Sequence, residues 1–506
     1  MNKENRGEKA LKNFFVGSCN EIVTLLCGLI LPRLILTNFG SAYNGITHSI
    51  TQFISYIELM KSGIGGATRA ALYKPLADRD TIAISKVVAT TQKFMRKITF
   101  YFIFFIIIFA IIYPSFINKE FSWTFSFTLI LIISLSSFAE YYFGFTYQML
   151  LIADQKSRII GRLRIFTTIL NTIVSVILIN NFFSIHIIKL ANVLISSIIP
   201  IFLYIYVNKK YMIVKKIDSS IDVLPQKWDA TAHEVASFVN NNTDIVILTL
   251  FTNLLEVSVY TVYHYVISNL KRIVSTFTSS FAGAFGNMYA NNEIKLMNEN
   301  LGIYELIVFS LTSILYSVAL VMIVPFALLY TSGVTDVDYN RPLFGIIIIF
   351  AGVFDCFRTP YKTIVTAAGH FKQTKKGAIV EATLNITISI LMVKKYGIIG
   401  VAIGTLCAMI FRTIQYALYL SKNIINRSIK HFILHVFSSL LIIIMVAFIS
   451  KLYVSNINNW LDWIAYAFVT TAISILFTLF INVILFRKDV ILFINKLKNI
   501  ILKYNN

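Results

Sequence analysis

Stretches of about twenty mainly apolar residues recur along this 506-residue chain, and no other feature limits its fold as severely. A helix needs about 20 such residues to cross a bilayer's hydrocarbon core. Segments of that kind cover approximately 14–36, 43–65, 98–117, 123–151, 160–180, 185–207, 232–252, 257–285, 303–330, 343–369, 376–393, 398–420, 431–454 and 462–486. In lipid, backbone polar groups must be satisfied within the protein, and segments this long do so as helices. The fold class expected is therefore an all-α polytopic membrane protein with about 14 transmembrane helices. Some segments are Phe/Ile-rich, such as 98–117; others, notably 43–65 and 232–285, are mottled with polar residues and should line an interior. Charged residues make up only 14% of the chain, against about 25% in soluble domains. An ordinary soluble globule, a disordered chain and a secreted disulfide scaffold are thereby excluded. Cys19, Cys27, Cys356 and Cys407 lie in apolar stretches without metal-binding spacing and read as buried small hydrophobes.

The chain carries 45 Lys and Arg against 24 Asp and Glu, a net charge of +21. Their positions explain most of that excess. With both termini in the cytoplasm, 32 basic residues fall in inner loops and tails, 5 in outer loops and 8 within spans. This is the positive-inside pattern, a topology signal rather than a nucleic-acid footprint. Lys394 and Lys395 fall on the wrong side, and no physical reason for that is evident. The first apolar segment is too long for a cleavable signal peptide and lacks a small-residue cleavage site. No outer loop is large enough to carry a catalytic domain, so no catalytic residue is expected and the chain reads as a non-enzyme.

The chain also reads as duplicated. TNFGSAYNGITHSI, from Thr37, and TNLLEVSVYTVYHYV, from Thr252, each join a Thr-Asn pair to a polar-aromatic segment containing His. Each segment leads to a Gly/Ala-rich exit, GIGGATRAAL (63–72) and SSFAGAFGNMYA (279–290). The expected organisation is an N-terminal six-helix lobe (1–207), a cytoplasmic linker (208–231) and a C-terminal six-helix lobe (232–420). Two additional helices and a cytoplasmic tail (421–506) follow.

A charge at mid-bilayer costs about 2.5–3.5 kcal/mol even on the lenient insertion scale. The spans nevertheless hold Arg33, Lys61, Lys189, Lys271, Arg272, Arg358, Lys362 and Arg412, with Glu21, Glu58, Glu140, Asp244, Asp355 and Glu381. These must pair, snorkel or line a wet cavity. Lys189 lies near an outer end and is read as snorkelling. Glu58 and Lys61 are three apart and share a helix face, as do Asp355, Arg358 and Lys362 around Pro360. A net-positive cavity would suit an anion, and Arg suits a phosphate or diphosphate because its planar fork donates in pairs. Structural ion pairing is the competing explanation for the same residues. By charge and depth, the substrate-binding candidates are Arg33, Lys61, Arg69, Lys271, Arg272, Arg358 and Arg412. Glu21, Glu58, Asp244 and Asp355 are the acidic candidates for ion coupling or cavity lining. No metal site is expected.

Three stretches carry a family resemblance: ITQFISYIELMKSGIGGATRAALYKPLADRD (50–80), NTDIVILTLFTNLLEVSVYTVYHYV (242–266) with GNMYANNE (286–293), and EATLNITISILMVKKYGIIGVAIGT (381–405). They resemble Wzx-type polysaccharide flippases of the multidrug/oligosaccharidyl-lipid/polysaccharide exporter superfamily, and the likeness runs along nearly the whole chain. The resemblance implies two six-helix lobes around a central cavity, with the last two helices packed outside. It implies alternating access that moves a polyprenyl-diphosphate-linked oligosaccharide to the outer leaflet of the bacterial cytoplasmic membrane, for capsule, exopolysaccharide or a related polymer. It further implies no cofactor, H+ or Na+ as coupling ion, and partnership with membrane lipid, a polymerase and other polysaccharide-assembly proteins, but not nucleic acid. A peptidoglycan-precursor flippase and a drug/cation antiporter of the same superfamily are the alternatives. The antiporter would be expected to have an acidic cavity and twelve spans.

Overall fold

The computed structural model describes residues 6–117, 120–211, 213–214, 228–278, 281–454 and 457–504. Among these residues the chain is helical and contains no strand. The first part comprises α1 (Arg6–Phe39), α2 (Ser41–Asp78), α3 (Thr81–Ile112), α4 (Trp123–Ala139), α5 (Phe145–Ala153), α6 (Ser157–Asn180), α7 (Ile185–Ser196) and α8 (Ile198–Lys210). The second comprises α9 (Trp228–Phe251), α10 (Leu254–Thr278), α11 (Phe281–Ala290), α12 (Ile294–Tyr330), α13 (Pro342–Phe357), α14 (Thr359–Ala367) and α15 (Phe371–Tyr396). It continues with α16 (Ile398–Asn423), α17 (Lys430–Ser450), α18 (Trp460–Leu485) and α19 (Arg487–Tyr504).

Every expected apolar segment falls on helix. Among the described residues, 11 helical stretches are long and apolar enough to cross a membrane. The described residues of the other three segments, 43–65, 232–252 and 257–285, are helical too, in α2, α9 and α10 with α11, but their polar residues dilute the apolar run. Large apolar side chains such as Phe437, Phe448, Phe468 and Phe480 are exposed on α17 and α18. That arrangement is costly in water and favourable in lipid, as befits a multi-pass membrane protein. Of the cysteines, Cys356 is buried, whereas Cys19 is exposed on α1, where the sequence reading expected burial.

The chain forms two compact units, Met1–Val235 with Asn253–Val257, and Ala236–Thr252 with Ser258–Asn506. Most of the expected linker 208–231 lies outside the described residues. In the first unit, α2, α3 and α4 share a core built on Ile50, Ile54, Phe102, Ile106, Leu129 and Ile130. In the second, α12 is the central post, packed by α13, α17, α18 and α19.

Among the described residues, three expected spans contain a break or an irregular turn, and two of the irregularities have a proline at their root. Proline lacks an N–H and cannot bond the carbonyl four residues back. Pro200 follows the turn at Ser197 that separates α7 from α8. Pro360 cannot bond the Cys356 carbonyl, which instead accepts from the Arg358 N–H, and the 343–369 span breaks at Arg358. Asp355, Arg358 and Lys362 therefore do not share one face of a single helix, as the sequence reading expected. The third irregularity is a π-helical turn, Glu140–Gly144, between α4 and α5. A Cβ on Gly144 would lie 2.9 Å from Pro200 Cβ, so that close approach requires glycine.

α15 and α16 pack most tightly through Gly400 and Gly404, a small-xxx-small spacing that lets two helices approach closely. A Cβ on Gly404 would stand 2.2 Å from Ser389 Oγ and 2.9 Å from the Asn385 carbonyl oxygen. Gly404→Ala should cost about 1–3 kcal/mol through overpacking. Thermal unfolding in detergent should show a lowered midpoint; an unchanged midpoint would mean the helices separate freely.

Candidate functional site

The second unit contains a chain of five charges that bridges four helices and one helix break. Lys271 Nζ on α10 lies 2.8 Å from Asp355 Oδ2 on α13. Asp355 also pairs with Arg358 at the break, and Arg358 NH1 lies 2.6 Å from Glu381 Oε1 on α15. Glu381 Oε2 in turn lies 3.2 Å from Arg412 Nε on α16. The Pro360 break matters here, because it lets Arg358 reach one carboxylate on each side. Arg412 is further held by donation to the Thr374 carbonyl, Gln415 and the Tyr416 hydroxyl, with its guanidinium 4.1 Å above the Tyr416 ring.

Side-chain exposure rises steadily along this chain: 2% at Arg412, 6% at Glu381, 9% at Arg358, 16% at Asp355 and 25% at Lys271. Three cations face two carboxylates, so the network carries one net positive charge. The excess is reachable at the Lys271 end. The next residue, Arg272, is exposed. Buried charges of this kind are tolerated only when paired and hydrogen-bonded.

In the same unit, Asp244 on α9 is buried. Its Oδ2 accepts from the Tyr260 hydroxyl at 2.8 Å and from Thr405 Oγ1 at 2.8 Å. Its Oδ1 is buried with no hydrogen-bond partner among the described residues. Thr405 Oγ1 also lies 3.4 Å from Asn385 Oδ1 and 3.3 Å from the Val401 carbonyl, and Ser389 Oγ lies 3.1 Å and 3.3 Å from the same two oxygens. The Tyr260 and Thr405 hydroxyls thus serve Asp244 Oδ2, and Asn385 Oδ1, Ser389 Oγ and the Val401 carbonyl add further oxygens beside Thr405. Such an oxygen-rich, acidic pocket fits a proton or a small hard cation, since hard cations take oxygen ligands.

The first unit holds a smaller group. Lys61 Nζ on α2 lies 3.2 Å from Glu140 Oε1, at the start of the π turn, and 4.7 Å above the Tyr141 ring. Isolated π turns recur at functional sites. The sequence reading expected Glu58 to be the partner of Lys61; the Glu58 side chain lies outside the described residues. Arg69 Nε donates to the Gly65 carbonyl one turn back. On α1, Glu21 is exposed and Arg33 is half-buried. Of the eleven candidates, the structure joins Lys271, Asp355, Arg358 and Arg412 in one network and places Asp244 and Lys61 in groups of their own.

One buried charge group was not anticipated. Glu305 on α12 pairs with Arg427 NH1 at 2.7 Å, accepts from the Tyr361 hydroxyl at 2.7 Å and has His435 Nε2 at 3.9 Å. Nearby, α19 seats Asp489 against Gly302. Asp489 lies outside the spans, and burial holds its carboxyl above the usual range against the pull of Arg427. Glu305 sits two residues inside the apolar segment 303–330, where an acid at the edge passes for a loop residue. Arg427 counted simply as an inner-loop charge.

The chain superposes on the lipid II flippase MurJ in its inward closed conformation with a TM-score of 0.70, covering 94% of this chain and 99% of that one at 15% identity. It is also similar to an inward-facing multidrug resistance MATE family transporter of the MOP superfamily, with a TM-score of 0.62 over 79% and 94% of the two chains at 10% identity. A mutant of the Vibrio cholerae MATE transporter VcmN gives a TM-score of 0.56 over 84% and 99% at 15% identity. No family model and no curated protein matches the chain. At these identities the likeness establishes the fold.

Proposed function

We propose that this protein is a flippase of the Wzx type. It carries a polyprenyl-diphosphate-linked oligosaccharide across the bacterial cytoplasmic membrane by alternating access, with both termini cytoplasmic. The observation that carries this reading is the five-charge network with one net positive charge and its open end at Lys271–Arg272. Those two residues receive the diphosphate, while Arg358 and Arg412, which are more deeply buried, hold Asp355 and Glu381 in place. Lys61 and Arg69 on α2 offer positive charge to the headgroup in the first unit. An apolar groove of about 220 Å³ between α10, α12 and α18, lined by Leu270, Val318, Met322, Phe326 and Trp463, suits the prenyl chain. Leu270, in the groove wall, is the residue immediately before Lys271. Coupling runs through Asp244, with Thr405, Asn385, Ser389 and the Val401 carbonyl as the remaining oxygens for a proton or Na+. The finished unit passes to a polymerase and other polysaccharide-assembly proteins.

A peptidoglycan-precursor flippase is the second reading, and the similarity to a lipid II flippase favours it. Both readings demand a site for a diphosphate. A drug/cation antiporter would call for a net-negative site, the reverse of the charge at Lys271. Neutralising the open end tests the assignment: Lys271→Gln with Arg272→Gln should abolish surface polysaccharide in cells while leaving the protein in the membrane. Unchanged polymer at normal protein levels would overturn it, and loss of viability with unchanged polymer would favour the peptidoglycan reading.

A further inference from the structure

α3 carries a second cationic feature that the transport reading leaves unused. Lys93, Arg96 and Lys97 lie at spacings of three and four, just before the apolar run of the helix begins, so they share one helical face. All three are exposed, and none has an ion-pair partner among the described residues. With Phe100 and Tyr101 they line an open cleft of about 460 Å³. The Arg96 guanidinium lies 5.6 Å from the centre of the Tyr142 ring, itself exposed on the neighbouring π turn. The same face continues along the helix as Phe100, Phe104, Ile107, Ile108 and Ile111, all exposed. The order along the helix is thus three cations, an aromatic collar and an aliphatic track. From Lys93 to Ile111 that spans about 27 Å at 1.5 Å per residue.

We propose that this face is a binding site for an anionic phospholipid of the inner leaflet. The phosphodiester sits among Lys93, Arg96 and Lys97, the glycerol region meets Phe100, Tyr101 and Tyr142, and the acyl chains follow Phe104 to Ile111. Charge complementarity selects the headgroup, since three like charges within five residues repel one another until an anion joins them. The cleft walls argue against the transported glycan as occupant: they offer cations and aromatic rings but no amide, and no hydroxyl beyond those of Tyr101 and the neighbouring Tyr142. A positive loop serving topology alone would not need its charges gathered on one lipid-facing stripe.

Native mass spectrometry of the full-length protein, released from micelles doped with phosphatidylglycerol, cardiolipin or phosphatidylcholine, tests this. The wild type should retain the two anionic lipids in preference to phosphatidylcholine. A surface cation contributes about fivefold to the binding of an anionic lipid surface, so Lys93→Gln, Arg96→Gln and Lys97→Gln together should weaken retention on the order of 100-fold. Lys372→Gln, Lys376→Gln and Lys430→Gln, which remove the same charge from other exposed positions, should leave retention unchanged. If the triple variant fails to fold, each single substitution carries the test with a loss of about fivefold. Two results would overturn the proposal: undiminished retention of the anionic lipids in the α3 variants, or equal loss in the comparison variant.

Discussion

Replacing Glu381 with Leu should destabilise the protein by about 3–5 kcal/mol, the range for removing one partner of a buried ion pair. Glu381 is the sole carboxylate paired with Arg412 among the described residues, and it also holds one side of Arg358. Its loss leaves the Arg412 charge buried among Thr374, Gln415 and Tyr416 with hydrogen bonds but no counter-charge. Adding Arg412→Met to Glu381→Leu should recover at least half of the loss, because the cost lies in the uncompensated charge rather than in lost attraction. Chemical denaturation of the purified variants in detergent measures both quantities. If the double variant were no more stable than the single one, the network would not be energetically coupled. In transport, both variants should be defective, because Arg358 would no longer be held between two acids and could not keep Asp355 and Lys271 in place.

Asp244→Asn should abolish the dependence of transport on its coupling ion. The wild-type pocket has a carboxylate with one buried oxygen that no hydrogen bond reaches among the described residues; the variant replaces the charge with a neutral amide. A ligand that binds only the folded state stabilises it by about 2.7 kcal/mol at 100 times its dissociation constant. Titrating the purified wild type with Na+, against Li+ and choline, should therefore raise its unfolding midpoint if Na+ is the ion, and Asp244→Asn should show no rise. If instead the wild type responds to none of these cations and flipping follows the pH gradient, the pocket serves a proton. A variant that retains full ion-coupled flipping would remove Asp244 from the coupling machinery.

Much of this molecule is legible from local pattern. The apolar segments land on helix because a twenty-residue apolar run has few other fates. The polar mottling of 43–65 and 232–285 marks the helices that carry Lys61, Asp244 and Lys271. Asp355 and Arg358 pair because they are three residues apart. Pro360 signals a break, but not its consequence, namely that Arg358 at the break joins Asp355 to Glu381 on another helix. Long-range pairing is where sequence reading runs out. Lys61 meets Glu140, 79 residues on, at a π turn that no local signal announces. The Asp244 pocket draws Asn385, Ser389 and Thr405 from helices more than 140 residues away, and neutral residues of that kind do not stand out in a charge count. Gly400 and Gly404, quoted above as part of a family resemblance, have a physical reason in the structure: they let α15 and α16 close to within a side chain's width, which brings Ser389 and Thr405 together.

We propose that the positive open end of the second unit's network moves a diphosphate-linked glycan across the bilayer. The decisive measurement reconstitutes the purified protein into liposomes with a defined polyprenyl-diphosphate oligosaccharide in the inner leaflet and scores its appearance at the outer surface with a glycan-specific probe. The wild type should flip it, Lys271→Gln with Arg272→Gln should not, and polyprenyl diphosphate lacking the sugar should compete. Flipping that persists in the double variant, or a wild type that moves only cationic drugs, would overturn this role for Lys271 and Arg272.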